Sequence, residues 1–244
     1  MQALYPTSPA ELTDEDIAEL YAYPVERTWV RANFVSTLDG AVQGSDSRSG
    51  TLSTSADRRL FATLRSLCDV VLVGAGTARV EGYAPVRSGE VDAALRQRLG
   101  LTAVPAIAVV SANLDVSDEL VRGGEARTLV VTTSNAPPDR LQELRTVTEV
   151  IVAGEDTVEP SLVVDELTAR GYQRVLLEGG PRLMRSFVAD GRTDDVCLTL
   201  RALLVGGDRY RMLRGAPVTP PHLALRHVLE EEGTLFCRYT RTGG

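Results

Sequence analysis

The chain contains no lysine: all 26 of its basic residues are arginine. That excludes Schiff-base catalysis, pyridoxal phosphate attachment and the lysine of a P-loop. Histidine is almost as scarce, with only His222 and His227, both near the C-terminus. Zinc clusters and most Ser-His-Asp arrangements therefore lack partners, and no metal site is expected. The two histidines read as surface or edge-strand residues. Cys68, Cys197 and Cys237 stand singly inside apolar runs with no CxxC pair, and read as reduced core residues of a cytoplasmic protein. No run approaches the roughly eighteen apolar residues that a membrane-spanning helix needs. There is no basic block either: 26 arginines against 33 acidic residues leave a net charge of −7. Such a chain is a poor general binder of nucleic acid or membrane surface. The opening MQALYPTSPAELTDED is polar and acidic, unlike a signal peptide. By elimination, a reaction here borrows its hard chemistry from a cofactor.

What the chain does have is length and core. Its 244 residues, 43% hydrophobic and 24% charged, suit one α/β domain. Apolar, β-branched runs at 28–38, 69–74, 105–111, 127–132, 149–153, 174–178 and 194–200 predict strands. VVLV and AIAVV show no alternation, as in parallel strands buried on both faces. Between them, helix patterns cover 55–67, 91–99, 138–146, 161–170 and 181–190, the first with Leu60, Leu64 and Leu67 on one stripe. Leu223–Leu229 and Thr234–Tyr239, separated by Glu-Glu-Glu-Gly, read as an antiparallel hairpin. The Gly-rich stretch 40–50 reads as a mobile loop. Residues 1–20 carry no functional signal and are expected to be an extension to a single domain over 21–244.

In open parallel sheets, ligands collect at the C-terminal ends of the strands, where helix N-termini point free N–H groups. Those ends carry Ser36-Thr37-Leu38-Asp39-Gly40, Gly74-Ala75-Gly76-Thr77-Ala78-Arg79, Ser111-Ala112-Asn113, Thr132-Thr133-Ser134 and Glu178-Gly179-Gly180-Pro181. Glycine lets a backbone approach a phosphate closely, and proline at a first helical position leaves the remaining N–H groups free. Neither glycine pair matches GxGxxG, and each alone is also an ordinary strand-to-helix connection. Together they point to a dinucleotide site.

The run RANFVSTLDGAV, a Gly/Ser loop, SADRRLFATLRSLCDVVLVGAGTARVEGY and later RVLLEGGPRLMRSF follow in order. This combination resembles the reductase domain of bacterial riboflavin biosynthesis, a dihydrofolate-reductase-like α/β fold, from about Tyr21 to Tyr239. The zinc deaminase module often joined to it is missing, so the chain looks like the stand-alone, actinobacterial type. The resemblance implies NADPH-dependent reduction of 5-amino-6-(5-phosphoribosylamino)uracil, with hydride passing to the sugar C1. It implies cofactor contacts at Gly74, Gly76, Thr77, Gly179, Gly180 and Leu183, and a nicotinamide wall at Ser36, Thr37, Leu38, Asp39 and Gly40. On the substrate side the matches are Asn33, Asp39, Ser49, Arg58, Glu81, Arg87 and Glu178, with Asp39 and Glu178 nearest the chemistry. Arg58 and Arg87 fit a substrate phosphate, and Asn33 with the carboxylates fits a uracil edge. Thr51-Leu52 replaces a tryptophan frequent in the family, and Glu81-Gly82-Tyr83 replaces paired acids.

The strand ends facing the adenosine ribose offer Arg79, Ser111, Asn113, Thr132 and Thr133, with no acid before Asp115. A 2′-phosphate wants such groups, so NADPH is expected over NADH. Asp57, early in its helix, is either a helix-dipole carboxylate or, as in dihydrofolate reductases, the acid that holds a pterin. A pterin reductase on the same fold, and a non-catalytic nucleotide-binding protein, therefore stay open. The final hairpin places Leu235, Cys237 and Tyr239 on one face and Phe236 on the other, and the resemblance implies a homodimer built near those strands.

Overall fold

Strand Val70–Gly74 reads VVLVG without a polar residue because both of its faces are buried. In the structure, a computed structural model describing residues 1–243, seven parallel strands form the centre of one sheet. In spatial order they are β9 (Asp195–Arg201), β3 (Trp29–Thr37), β8 (Arg174–Gly179), β4 (Val70–Gly74), β5 (Ala106–Val110), β6 (Thr128–Thr132) and β7 (Glu149–Val152). Beyond β9 the sheet turns antiparallel through β11 (Thr234–Arg241), β10 (Leu223–Glu231), β1 (Gln2–Tyr5) and β2 (Thr7–Glu11). This is the mixed α/β architecture expected, with the hairpin at its C-terminal end.

Successive strand residues alternate between two cores. Val71, Val73, Ile107 and Val109 face one, where α1 (Asp14–Leu20), α2 (Ser55–Leu67), α3 (Ala75–Glu81), α4 (Ala93–Arg98), α5 (Asp118–Arg122) and α6 (Pro138–Arg145) lie. Val70, Leu72, Ala106 and Ala108 face the other, under α7 (Pro160–Ala169) and α8 (Pro181–Ala189). Local signals set the helix ends. The Thr54 hydroxyl accepts from the Asp57 N–H at 3.1 Å and caps α2, and α7 and α8 each open on a proline. Among the described residues, no helix is long and apolar enough to cross a membrane.

The first twenty residues join this body rather than trailing from it. β1 pairs with β10, and the capping box of Thr13 and Asp16 starts α1. That addition corrects one expectation. His227 is no edge residue, because β1 covers β10, and the imidazole is buried edge-on to Tyr21 with ring centroids 4.6 Å apart. Burial, with Arg238 and Arg31 nearby, pushes its pKa down to about 4. Beside it, buried Asp195 bridges Arg31 (Nη2 at 2.9 Å) and Arg238 (Nη2 at 2.9 Å). Burial opposes that carboxylate's charge, but the two guanidiniums hold its pKa below the ordinary aspartate value. The same two arginines donate to the carbonyls of Tyr21 and Leu20, which close α1. All three cysteines are free and buried.

Candidate active site

The C-terminal ends of β3, β8, β4 and β5 open into one cleft of about 1340 Å³. A site for one small ligand typically spans about 300–1,000 Å³, so this cleft has room for two. Its waist is built from glycines. A Cβ on Gly74 would lie 3.5 Å from the Gly180 nitrogen, and one on Gly180 would collide with the Thr77 hydroxyl. Gly179 has φ +96° and a Cβ there would sit 2.9 Å from Phe34, so the Gly179-Gly180 turn passes this close to Phe34 and Thr77 only without side chains.

On one side of the waist the cleft is lined by Gly74, Gly76, Thr77, Arg79, Ser111, Gly180 and Leu183, all expected cofactor residues. A Cβ at Gly76 would meet nothing within 4 Å, so that backbone is open to the cleft. Arg79 is less available than the sequence suggested: it pairs with the Asp115 carboxylate at 2.8 Å and donates to its carbonyl at 2.7 Å. Thr132 is buried below the cleft floor, its hydroxyl 3.4 Å from the Ala112 carbonyl.

The segment Ser36, Thr37, Leu38, Asp39 and Gly40 does not line the cleft. Ser36 and Thr37 are buried, and Leu38 is exposed. Asp39 turns outward as a strap. Its carboxylate accepts from the Thr37 hydroxyl at 2.5 Å and from the backbone N–H groups of Val205 (3.1 Å) and Gly206 (2.7 Å). The Thr37 bond, then those of Gly206 and Val205, lower its pKa. The strap fastens the long loop 202–222, and that loop brings Tyr210 and Arg214, stacked at 3.7 Å, to the cleft rim.

The same cleft is lined by Asn33, Ser49, Asp57, Arg58, Glu81, Arg87 and Glu178. Glu178, at the end of β8, is held by Arg65 Nε (2.8 Å), Arg65 Nη2 (2.7 Å) and the Tyr83 hydroxyl (2.6 Å). The Arg65 and Glu178 side chains are only 12% and 2% exposed, so this pair is nearly dry. Burial works against the Arg65 charge, but Glu178 more than offsets it and raises the pKa. Burial, then the Glu178 carboxylate, pushes the Tyr83 phenol well above its ordinary value and keeps it protonated. Ser49 is fixed through its N–H to Glu81 at 2.8 Å. Arg58 and Arg87 are exposed at the mouth.

Arg65 and Tyr83 were not singled out from sequence. A signal for Arg65 existed: Asp57, Phe61 and Arg65 are spaced i, i+4, i+8 on α2, hence on one face, and Phe61 stacks under the guanidinium at 4.3 Å. Tyr83 had none, because Gly82 ends α3 in the left-handed conformation at φ +74° and redirects the chain.

Residues 28–233, which hold this whole cleft, match the family model described as the RibD C-terminal domain. The chain belongs to that family. Two archaeal relatives, both named 2,5-diamino-6-ribosylamino-4(3H)-pyrimidinone 5′-phosphate reductase, are each 30% identical to it. The protein of Methanothermobacter thermautotrophicus aligns over 210 residues, 86% of this chain and 94% of its own. That of Archaeoglobus fulgidus aligns over 183 residues, 74% and 83% respectively. Among solved structures, a pyrimidine reductase-like protein from Corynebacterium diphtheriae is similar with a TM-score of 0.80 and 27% identity. It covers 96% of this chain and all of its own.

Proposed function

We propose that this family member is an NADPH-dependent reductase of riboflavin biosynthesis that acts on a phosphorylated ribosylaminopyrimidine. The observation that carries this reading is a single two-ligand cleft, lying wholly inside the family match, with Glu178 at its waist. Its glycine half fits a dinucleotide: Gly76 leaves backbone open, and a side chain at Gly180 would close the waist. Gly74, Gly76, Thr77, Ser111, Gly180 and Leu183 would hold the cofactor, whose nicotinamide supplies a hydride. Arg79, exchanging Asp115 for a 2′-phosphate, with Ser111 and Asn113 beside it, would favour NADPH over NADH.

The pyrimidine half would do the rest. The ring-opened substrate carries a C=N bond between the sugar C1 and the exocyclic nitrogen; hydride adds to C1 and a proton to nitrogen. Arg58 and Arg87 would grip the phosphate at the mouth. Phe34, Val35 and Leu183 line the waist with apolar surface and exclude water there. Glu178, fixed by Arg65 and Tyr83, acts as an immobile acceptor that orients the reacting end. A cytoplasmic setting keeps the three free thiols reduced.

The test is cofactor oxidation with the phosphoribosylaminopyrimidine and with dihydrofolate, each with NADPH and NADH. Turnover of the pyrimidine with NADPH at least tenfold above NADH supports the reading. Activity on dihydrofolate alone, or none on either substrate, contradicts it. We further assign a homodimer to the antiparallel end of the sheet, where Tyr5, Leu223 and Leu225 are exposed. Light scattering should report a dimer at micromolar concentration, and a monomer would refute that assembly.

A further inference from the structure

Six arginines line the cleft: Arg58, Arg65, Arg79, Arg87, Arg182 and Arg214. Four have a task already. Arg65 pairs with Glu178, Arg79 pairs with Asp115, and Arg58 and Arg87 stand at the mouth. No carboxylate among the described residues lies within 4.0 Å of the other two guanidiniums. Arg182 is exposed in the first turn of α8. Arg214 is half-buried, and its guanidinium lies on the Tyr210 ring at 3.7 Å. Stacking occupies the flat face of a guanidinium and leaves its N–H edges free to donate.

The segment that carries Arg214 is fixed on both sides of it. The Tyr210 carbonyl accepts from the Val42 N–H at 2.9 Å, and the Arg214 N–H donates to the Pro181 carbonyl at 3.1 Å. Arg185 Nε donates to the Ala216 carbonyl at 2.8 Å, and Met212 and Leu213 pack against the core that α8 covers. A cation held on such a frame loses little freedom when a ligand arrives. A planar fork with free edges matches a phosphoryl group, to which it donates two parallel bonds. The contact with Pro181, the residue after Gly180, puts Arg214 beside the glycine waist. A dinucleotide with its nicotinamide at that waist and its 2′-phosphate at Arg79 carries a diphosphate between the two. Building on the proposed reductase reading, we propose that Arg214, seated on Tyr210, grips the diphosphate of the cofactor, with Arg182 as a second and looser cation. The diphosphate is common to NADPH and NADH. Arg214 therefore supplies affinity for both, and the choice between them is left to Arg79.

Calorimetric dissociation constants for NADPH and NADH, with the KM of the phosphoribosylaminopyrimidine at saturating NADPH, test the proposal. Arg214→Met should weaken both dinucleotides by the same factor, about tenfold or more, and leave the pyrimidine KM where it was. Arg214→Lys keeps the charge but not the fork, and should weaken both dinucleotides less. Tyr210→Leu keeps the arginine but removes its platform, and should show the same equal loss at smaller size. These two milder variants carry the test if Arg214→Met does not fold. Unchanged dissociation constants in the folded variants would overturn the proposal. A loss confined to NADPH would assign Arg214 to the 2′-phosphate, and a raised pyrimidine KM with intact cofactor binding would assign it to the substrate phosphate. Either result refutes the diphosphate contact while leaving the reductase reading intact. If wild type binds neither dinucleotide, the reductase reading falls, and this proposal with it.

Discussion

Arg65 and Glu178 meet from two elements far apart in sequence, and their cost and benefit follow from where they meet. Separating a nearly dry ion pair by removing one partner leaves the other charge buried, which costs roughly 3–5 kcal/mol. Arg65→Met is therefore expected to lower the unfolding free energy by about that amount, measured by urea denaturation. Tyr83→Phe, which removes one hydrogen bond to a charged group, should cost about 1.5–3 kcal/mol. A change under about 0.5 kcal/mol in Arg65→Met, the usual scale of an inert surface substitution, would contradict the dry pair. At this scale the sequence was half legible. Glu178 stood out at a strand end, where chemistry gathers, and Arg58 and Asp57 through the resemblance to reductases of this fold. Arg65 was hidden two turns further along the same helix face, and Tyr83 depended on a left-handed turn at Gly82 that no periodicity announces. Asp39 was legible as a special residue but not for its orientation, since a turn signal fixes the backbone and not the partner of the side chain.

That partner matters for the elements. Asp39 ties the β3 end to Val205 and Gly206, so the loop 202–222 is held at one end by a three-donor carboxylate and further along by the Val42 N–H to the Tyr210 carbonyl at 2.9 Å. Asp39→Ala should speed hydrogen exchange at the amides of Val205 and Gly206 at least tenfold, while β4 and β8 keep their protection. Unchanged exchange in the loop would mean that the strap holds nothing. The strands and long helices were readable because buried parallel strands are apolar throughout and α2 carries a clean stripe. β1, β2 and α1 were not, because an edge hairpin with exposed residues has no hydrophobic pattern. The seven-residue α3 hid behind the glycines that open it.

For the whole molecule, the N-terminal elements convert an edge into an interior, and His227 registers the change. Unfolded, its imidazole titrates near its ordinary value of 6.5; folded, it titrates at about 4. The folded state refuses the proton, so its stability is complete above pH 6.5 and falls as pH drops towards 4. The loss across that window approaches about 3 kcal/mol, at roughly 1.4 kcal/mol per unit. Asp195, whose pKa is held below the ordinary aspartate value, titrates lower and leaves the window to His227. Denaturation between pH 7 and 4.5 should show this decline in wild type and a flatter profile in His227→Phe; equal slopes would contradict a buried neutral imidazole. The central claim is that one cleft brings a nicotinamide against the C1 of a ribosylaminopyrimidine. The most direct test uses NADPH bearing deuterium at the transferable position of its nicotinamide, with mass spectrometry and NMR of the product. The account predicts one deuterium, located at C1 of the ribityl chain. Product without deuterium, or with deuterium on the pyrimidine ring, would contradict it.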